Sequence, residues 1–426
     1  MKPQTQTLYV YLDCSLSDTP QFLGQLYREV LRGVPKYAFE FDKQWLKDHT
    51  NIRLSADLEN FSGRQYVPRD ADMFGCFSDA MPDRWGRLLM NRREQLDAQK
   101  QNRSPKTLTA FDLLSGVDDY SRIGGFRFKT DPDGPFLNEE GILSVPPLTE
   151  LRVLMQSAQA IEDSELNNCL PEEKWLLQLL KPGSSLGGAR PKATVRDENG
   201  DLWIAKFPSR SDDHDLEAWE QFAYLMARKA GITTAETKLL DINEQSHILL
   251  IKRFDRKGSK RTHFASSMTL LGLKDGDGAA TGHGYLDIAG TIVENCVEVE
   301  RNLEELFRRV AFNICIGNTD DHFRNHGFLL MKKGWTLSPA YDLNPTTNRY
   351  QSLLINDYSA SSSIDVLRKS AKDYFLSQET VDTILSEVIT AMKEWERVAT
   401  RMKLSQRDID IFASRFIVSC QGNLRF

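Results

Sequence analysis

The sequence has few cysteines and no long apolar run. Its 6 cysteines are scattered along 426 residues, and no two of them form a Cys-x-x-Cys pair. This spacing argues against a zinc site and against a disulfide framework. No apolar stretch approaches the ~20 residues that a membrane helix needs. The segment Met1–Val10 lacks the basic start and apolar centre of a signal peptide, so we expect a cytoplasmic protein with no membrane partner.

Basic charge is also scarce, because the formal net charge is −6. A protein that binds nucleic acid needs clustered Lys and Arg to neutralise phosphates. We therefore expect no direct DNA binding by this chain alone. The hydrophobic share of 40% and the charged share of 27% are ordinary for a globular enzyme. A chain of 426 residues is too long for one ordinary core, which indicates two or three domains.

Several local patterns predict helices and a hairpin. Lys192–Arg196 and Leu202–Phe207 are short apolar runs joined through Asn-Gly, which favours a tight reversal. An apolar stripe predicts a helix that begins at Asn302, as the N-cap, and ends at Gly317. A second helix is predicted over Thr380–Val398.

A stretch of small residues precedes the hairpin. Ser184–Lys192 reads Ser-Ser-Leu-Gly-Gly-Ala-Arg-Pro-Lys, and such residues let backbone amides approach a phosphate. The stretch matches neither a Walker A sequence nor G-x-G-x-x-G, so a flexible surface loop is the alternative interpretation. Lys206 ends the hairpin and Glu220 lies on the next predicted helix. A kinase needs such a lysine on the phosphates and a carboxylate to hold it, although both residues could simply face water.

The strongest motif lies at Gly317–Asn325, after the predicted helix. Asp320 and Asn325 are five residues apart, as in the protein-kinase catalytic loop, where Asp accepts the hydroxyl proton and Asn holds Mg²⁺. A predicted hairpin follows and returns the chain to Asp342, a second metal-binding candidate. Phosphoryl transfer needs such hard oxygen ligands around Mg²⁺. These residues predict an enzyme that uses ATP and Mg²⁺.

Other readings of this motif remain open. Asp320 and Asp321 could cap a helix or form an Asx-turn. His322 and His326 could indicate a metal hydrolase, but four-residue spacing aligns two ligands only on a helix, and the predicted helix has already ended. We expect His322 to pack the loop, and Asp321 either to be solvated or to hold the loop.

Together, these motifs resemble the HipA family of bacterial toxin kinases. The matching segments keep the family order along nearly the whole chain and are Met81–Arg87, Gly116–Asp119, Ser121–Phe128, Ser185–Lys192, Lys206–Pro208, Arg253–Arg256, Asn318–Asn325 and Ser338–Asp342. The resemblance implies an α+β, protein-kinase-like two-lobed fold. Residues 1–130 would form an additional N-terminal α/β subdomain, 150–265 the ATP-binding lobe and 266–426 the helical catalytic lobe.

The resemblance also implies roles for individual residues. Asp320 would be the general base, Asn325 and Asp342 would hold Mg²⁺, and Glu220 would pair with Lys206. The ATP-binding residues would be Gly187, Gly188, Ala189, Arg190, Pro191, Lys192, Lys206, Lys252, Arg253, Phe254, His322, Phe323, Arg324, Asn325, Tyr341 and Asp342. Ser185, with Ser184 as the adjacent candidate, occupies the position where autophosphorylation ejects the loop and silences the kinase. The Arg190-Pro191 pair and Lys252 depart from the common family pattern.

Members of the family pair with a small DNA-binding antitoxin. The resemblance therefore implies a HipB-like antitoxin partner and a protein substrate carrying a Ser or Thr, with an aminoacyl-tRNA synthetase as one candidate. Two other functions compete with this prediction. One is a small-molecule kinase, and the other is a catalytically silent binding partner of a DNA-binding antitoxin.

Overall fold

The computed structural model describes residues 5–31, 33–183, 187–243, 246–346 and 348–416, which form two compact units. Unit 1 comprises Met1–Ser211, Leu250–Ala265 and Leu330–Lys332. Unit 2 comprises Asp212–Leu249, Ser266–Leu329 and Lys333–Phe426.

Strands and helices are mixed in the first half of the chain, and helices dominate the second half. The strands of the described residues are β1 (Thr5–Leu12), β2 (Gln21–Leu31), β3 (Val34–Phe41), β4 (Arg64–Tyr66), β5 (Phe126–Lys129), β6 (Lys192–Arg196), β7 (Leu202–Lys206), β8 (Thr237–Asn243), β9 (Ser246–Lys252), β10 (Arg256–Lys257), β11 (Lys260–Arg261), β12 (His263–Ser266), β13 (Gly327–Met331) and β14 (Gly334–Leu337). The helices there are α1 (Lys43–Asp48), α2 (Gly75–Ser78), α3 (Arg84–Lys100), α4 (Ala110–Gly116), α5 (Leu151–Leu166), α6 (Glu173–Gly183), α7 (Leu216–Lys229), α8 (Ser267–Leu271), α9 (Tyr285–Asn295), α10 (Val299–Ile316), α11 (Ile364–Lys369), α12 (Gln378–Met392), α13 (Trp395–Arg401) and α14 (Gln406–Ala413). This content confirms the predicted α+β class, and within the described residues no helix is long and apolar enough to cross a bilayer.

Unit 1 is built on a five-stranded antiparallel sheet in the order β4-β3-β2-β1-β5. Its strands alternate, as β1 illustrates: Leu8, Val10 and Leu12 are buried, whereas the residues between them face outward. Phe77 of α2 packs on this buried face, with its ring centroid 5.3 Å from that of Phe39 and 5.0 Å from that of Phe126. The apolar face of the sheet and the short helix therefore form one core.

The second half of unit 1 carries the predicted hairpin. β6 and β7 pair antiparallel, with Lys192 directly opposite Lys206. Gly200 in the connection has φ +82°, which Asn-Gly turns accommodate because glycine pays little for a left-handed backbone. The predicted reversal is confirmed, and α6 packs against β6 and against α3.

Unit 2 is organised around α10, a long amphipathic helix. Its inward residues, among them Leu306, Phe307 and Val310, are fully buried. The helices α9, α11 and α12 pack around it. Gly317 then ends α10 at φ +72°, as its sequence position predicts. The β13–β14 hairpin follows, and the residues after it return to the loop that connects α10 to β13.

Two sequence predictions in unit 2 were wrong in detail. Asn302 is not the N-cap of α10, because the helix begins at Val299 and Asn302 lies inside it. Its side-chain oxygen instead accepts hydrogen bonds from the Leu337 amide at 2.9 Å and the Thr336 hydroxyl at 3.0 Å, which ties the helix to β14. The helix predicted over Thr380–Val398 is interrupted after Met392, and the part that follows as α13 packs against α7.

Candidate catalytic site

The predicted site residues divide between the two units. Unit 1 holds the segment 187–192, Lys206 and the segment 252–254, whereas unit 2 holds Glu220 and all the acidic candidates from Asp320 onward. Lys206 and Glu220 therefore lie in different units, and their ion pair stays a prediction. Ser184 and Ser185, the predicted modification sites, lie outside the described residues.

In unit 2, the chain between α10 and β13 is fixed on both sides of Asp320. The carbonyl of Thr319 accepts hydrogen bonds from the Ser352 amide at 3.0 Å and the Ser352 hydroxyl at 2.9 Å. The Thr319 hydroxyl lies 2.5 Å from that of Thr346, whose amide in turn bonds the Gly317 carbonyl at 2.9 Å. The backbone is thus held in place while the Asp320 side chain is exposed.

The next residue, Asp321, has the opposite environment. Its carboxylate is buried, and its Oδ2 atom accepts hydrogen bonds from the Tyr285 hydroxyl, Asn313 Nδ2 and His326 Nε2, each at 2.7 Å. Burial alone would raise the pKa of Asp321, but the proximity of His326 and the hydrogen bonds from His326 and Tyr285 outweigh it and hold that pKa below its usual value. Of the two roles expected for Asp321, the structure supports the one in which it holds the loop.

This network predicts opposite behaviour for two adjacent acids. Asp321→Asn removes the charge on which three buried hydrogen bonds converge, so we expect the free energy of unfolding to fall by about 2–4 kcal/mol. Asp320→Asn changes an exposed group and should leave it within about 0.5 kcal/mol of wild type. Urea denaturation of both variants measures the difference. Equal losses in the two variants would contradict the assignment.

The far side of the loop is a single 3-10 turn, Phe323–Asn325, pinned by the start of α8. Ser267 donates from its hydroxyl to the Phe323 carbonyl at 2.6 Å and from its amide to the His326 carbonyl at 2.7 Å. His326 is therefore a structural residue that anchors Asp321, and it lies just before β13. The ring of Phe323 is buried in this turn.

Asn325 and the residues that follow the β13–β14 hairpin lie near Asp320. Asn325 is buried, and its Nδ2 lies 3.4 Å from the Asp320 carbonyl oxygen. The Tyr341 hydroxyl donates to the Arg324 carbonyl at 2.5 Å, so the chain after β14 lies against the loop. Asp342 directly follows Tyr341, so this contact also brings the Asp342 backbone close to the loop.

Asp342 has an unusual backbone. Its φ is +57°, a left-handed value that costs a non-glycine residue about 1–3 kcal/mol, so the surrounding contacts must offset this strain. The Asp342 amide lies 3.3 Å from the Tyr224 hydroxyl of α7, and Asn344 Nδ2 lies 3.3 Å from Asp342 Oδ1. Such conformations cluster at functional sites, and this one sets the direction of a half-buried carboxylate.

In unit 1, the segment 187–192 lies against the first turn of α3. Gly188 has φ +88°, and its amide donates to Asp83 Oδ2 at 2.8 Å. Lys192 Nζ donates to the Gly187 carbonyl at 2.5 Å, and the Phe207 amide bonds the Pro191 carbonyl at 3.0 Å. Since Lys192 and Lys206 are paired across the hairpin, two cationic side chains start from the same end of it.

The segment 252–254 has engaged side chains. Lys252 Nζ lies 2.6 Å from Asp201 Oδ2, and the Arg253 amide donates to the Leu202 carbonyl at 2.8 Å. The Arg253 guanidinium is buried, where it binds the carboxylate of Asp255 and donates to the carbonyls of residues 121 and 122. If Arg253 contacts the nucleotide, we therefore expect its backbone atoms, and not its guanidinium, to make that contact.

Sequence reasoning missed Asn313 and Tyr285, which bind the Asp321 carboxylate, and it did not reveal that Asp83 of the matched segment Met81–Arg87 binds Gly188. For Asn313 a signal existed: it interrupts the apolar stripe of α10, and a polar residue on a buried face needs a buried partner. Tyr285 and Asp83 are far in sequence from their partners Asp321 and Gly188, so no local pattern could have predicted these two contacts.

Comparison with known proteins agrees with this architecture. The HipA-like C-terminal domain model matches residues 184–396, and the HipA N-terminal domain model matches residues 16–115. A solved chain from the Shewanella oneidensis MR-1 toxin–antitoxin complex of HipA, HipB and operator DNA covers 97% of this chain at TM-score 0.63 and 17% identity, with 95% of that chain covered, and shows a shared fold.

Curated relatives match shorter parts of this chain at higher sequence identity. "Putative kinase Y4dM" of Sinorhizobium fredii is 25% identical over 45% of this chain, and a "Putative kinase" of Haemophilus influenzae is 27% identical over 42% of it. The matched part spans only 53% and 59% of those two proteins. Since both HipA domain models match this chain and one of them covers half of the sequence, the chain belongs to the HipA family.

Proposed function

We propose that this chain is an ATP- and Mg²⁺-dependent kinase that phosphorylates a Ser or Thr hydroxyl of a protein. The observation that carries the proposal is the exposed Asp320 carboxylate on a loop fixed at both neighbouring residues. A general base must reach the acceptor, so it has to be exposed, and it must not move, so its backbone has to be held.

The chemistry follows from the roles of the loop residues. Asp320 accepts the proton of the acceptor hydroxyl while the hydroxyl oxygen attacks the terminal phosphorus of ATP and the bond to ADP breaks. Lys206, with Glu220 as its expected partner, and the segment 187–192 are the candidates for phosphate binding. His322–Arg324, Tyr341 and the segment 252–254 are further candidates for nucleotide contacts.

The donor set fits Mg²⁺. Asn325 and Asp342 offer one amide and one carboxylate oxygen, and Mg²⁺ is usually held by one or two carboxylates together with substrate phosphates. No group of three His, Cys, Asp or Glu side chains suited to a metal occurs in the described part of the chain. When bound, Mg²⁺ would neutralise charge that develops on the phosphates.

The family membership supports three further parts of the proposal. The partner would be a HipB-like DNA-binding antitoxin, since the solved chain of similar fold comes from a HipA–HipB–DNA complex and this chain, at net charge −6, is poorly suited to bind DNA itself. Autophosphorylation at Ser185 or Ser184 would silence the kinase. The target would be a translation-related protein, with an aminoacyl-tRNA synthetase as the first candidate to assay.

An acceptor assay tests the proposal against a small-molecule kinase. Purified chain with γ-labelled ATP is offered either host lysate proteins or a panel of sugars and amino alcohols, with and without EDTA. We expect label on Ser or Thr of protein, and none after Mg²⁺ is chelated. Label that appears only on a small alcohol would favour the small-molecule kinase, and nucleotide binding without any transfer would favour the silent binding partner.

A further inference from the structure

Both backbone groups of Gly188 are bound by the first turn of α3. Asp83 caps this helix, with Oδ1 accepting from the Arg84 amide at 2.8 Å, and its other oxygen accepts from the Gly188 amide at 2.8 Å. The Trp85 amide donates to the Gly188 carbonyl at 3.1 Å. Amides in the first turn of a helix have no partner within the helix, and here one of them is used to hold a distant segment.

The Trp85 side chain adds a second attachment. Its indole is buried, and Nε1 donates to the Lys192 carbonyl at 3.0 Å. On the other side of the small-residue stretch, Gly183 packs so tightly that an added Cβ would lie 2.8 Å from Leu89 Cδ1 and 3.2 Å from Trp85 Nε1. Residues on both sides of the stretch therefore lie against the first two turns of α3.

We propose that Asp83 and Trp85 are positioning residues that hold the segment 187–192 in the conformation that receives the ATP phosphates. This inference rests on the proposed kinase function. A segment that is already ordered loses less conformational entropy on binding than a mobile one, so it binds its ligand more tightly. The Met81–Arg87 motif, which had no role in the catalytic account, thereby gains one in nucleotide binding.

An alternative is that Asp83 imitates a phosphate and competes with ATP for the Gly188 amide. The contacts favour positioning. An anion could replace Asp83 at that amide, but it could not replace the two Trp85 N–H groups, which hold the carbonyls of Gly188 and Lys192. The two possibilities predict opposite changes in ATP affinity when Asp83 is replaced. Loss of a competitor would tighten ATP binding, whereas loss of a support would weaken it.

The test compares Asp83→Ala and Trp85→Phe with Asp42→Ala. Asp42 is a matched control, because it also caps a helix in unit 1 but a different one: it accepts from the amides of Gln44 and Trp45 of α1 at 2.9 and 3.1 Å. Hydrogen exchange is measured on peptides covering this segment, and Mg²⁺–ATP affinity is measured by calorimetry. We expect Asp83→Ala to speed exchange there and weaken ATP binding about tenfold, Trp85→Phe to do both to a smaller extent, and Asp42→Ala to do neither.

Each other result overturns a defined part of the inference. Unchanged exchange in Asp83→Ala means that the segment is not held by Asp83. Faster exchange with unchanged affinity means that holding it does not serve nucleotide binding, and tighter binding means that Asp83 competes. If wild-type protein binds no nucleotide, the kinase proposal fails together with the nucleotide part of this inference, while the exchange data still decide whether Asp83 and Trp85 hold the segment.

Discussion

Replacement of Asp320 by asparagine is expected to lower phosphoryl transfer by about 10²- to 10⁴-fold, the range associated with a positioned general base. Asparagine keeps the size of the side chain but cannot accept the proton. Because the Asp320 side chain is exposed, folding and ATP affinity should stay close to wild type. The loss should therefore appear in kcat with little change in the KM for ATP.

Two controls separate this effect from a structural one. Asp357→Asn changes another exposed acid of unit 2 and should retain full transfer. Asp321→Asn changes the neighbouring buried acid and should lose stability first, with activity falling as the loop loosens. If Asp320→Asn kept wild-type turnover, another group would have to be the base and the assignment would be wrong.

Replacement of Asp255 by asparagine should give the largest loss of stability, about 3–5 kcal/mol. Asp255 is buried and receives Arg253 Nη2 at 2.6 Å, Arg256 Nη1 at 2.9 Å and the Gly124 amide at 2.9 Å. Without its charge, two buried guanidinium groups lose their shared counter-ion. Thermal or urea unfolding measures the change. An exposed pair supplies the control, because Glu140→Gln, which breaks the contact of Glu140 with Lys181, should cost less than about 1 kcal/mol.

The same cluster predicts an acid-sensitive stability. Burial alone would raise the pKa of Asp255, but Arg253 and Arg256 reverse this effect and hold the pKa well below its usual value. A carboxylate whose pKa is lowered by folding stabilises the protein above its unfolded-state pKa of about 4, and this contribution is lost as the pH falls below that value. Wild-type unfolding free energy should drop steeply below about pH 4, and Asp255→Asn should drop less. Parallel pH profiles for the two proteins would show that Asp255 does not contribute.

His263 makes the free energy of unfolding depend on pH closer to neutrality as well. Burial lowers the pKa of this imidazole to about 3, whereas an exposed histidine titrates near 6.5. The buried neutral form therefore favours folding above about pH 6.5, and that contribution declines as the pH falls from there toward 3. Stability should begin to decrease before the carboxylates titrate.

Local patterns predicted the elements that carry the chemistry. The Asn-Gly reversal, the glycine that ends α10 and the order of helix, loop and hairpin around Asp320 were all readable because each depends on neighbouring residues. The spacing of Asp320 and Asn325 gave the candidate site for the same reason. Their roles in catalysis stay predictions until they are tested.

The supports of the site were not predictable in this way. Asp321 meets Tyr285 and Asn313 only through tertiary folding, Gly188 meets Asp83 across 105 positions, and Arg253 meets the carbonyl of Ser121 across 132. Asn302 was predicted to be an N-cap because asparagine is common at that position of a helix. Its actual partner is the Leu337 amide on β14, and this contact depends on how the hairpin packs. Long-range polar contacts of this kind leave no periodic signal in a single sequence.

Transfer of the γ-phosphate tests the central claim most directly. Wild-type protein and Asp320→Asn, both treated with phosphatase and then freed of it, are incubated with labelled ATP and Mg²⁺, and the label is mapped by mass spectrometry. The account predicts labelled Ser or Thr in the wild-type reaction, including Ser185 or Ser184, and almost none with Asp320→Asn. Equal labelling by the two proteins, or no transfer by a wild-type protein that binds ATP, would contradict it.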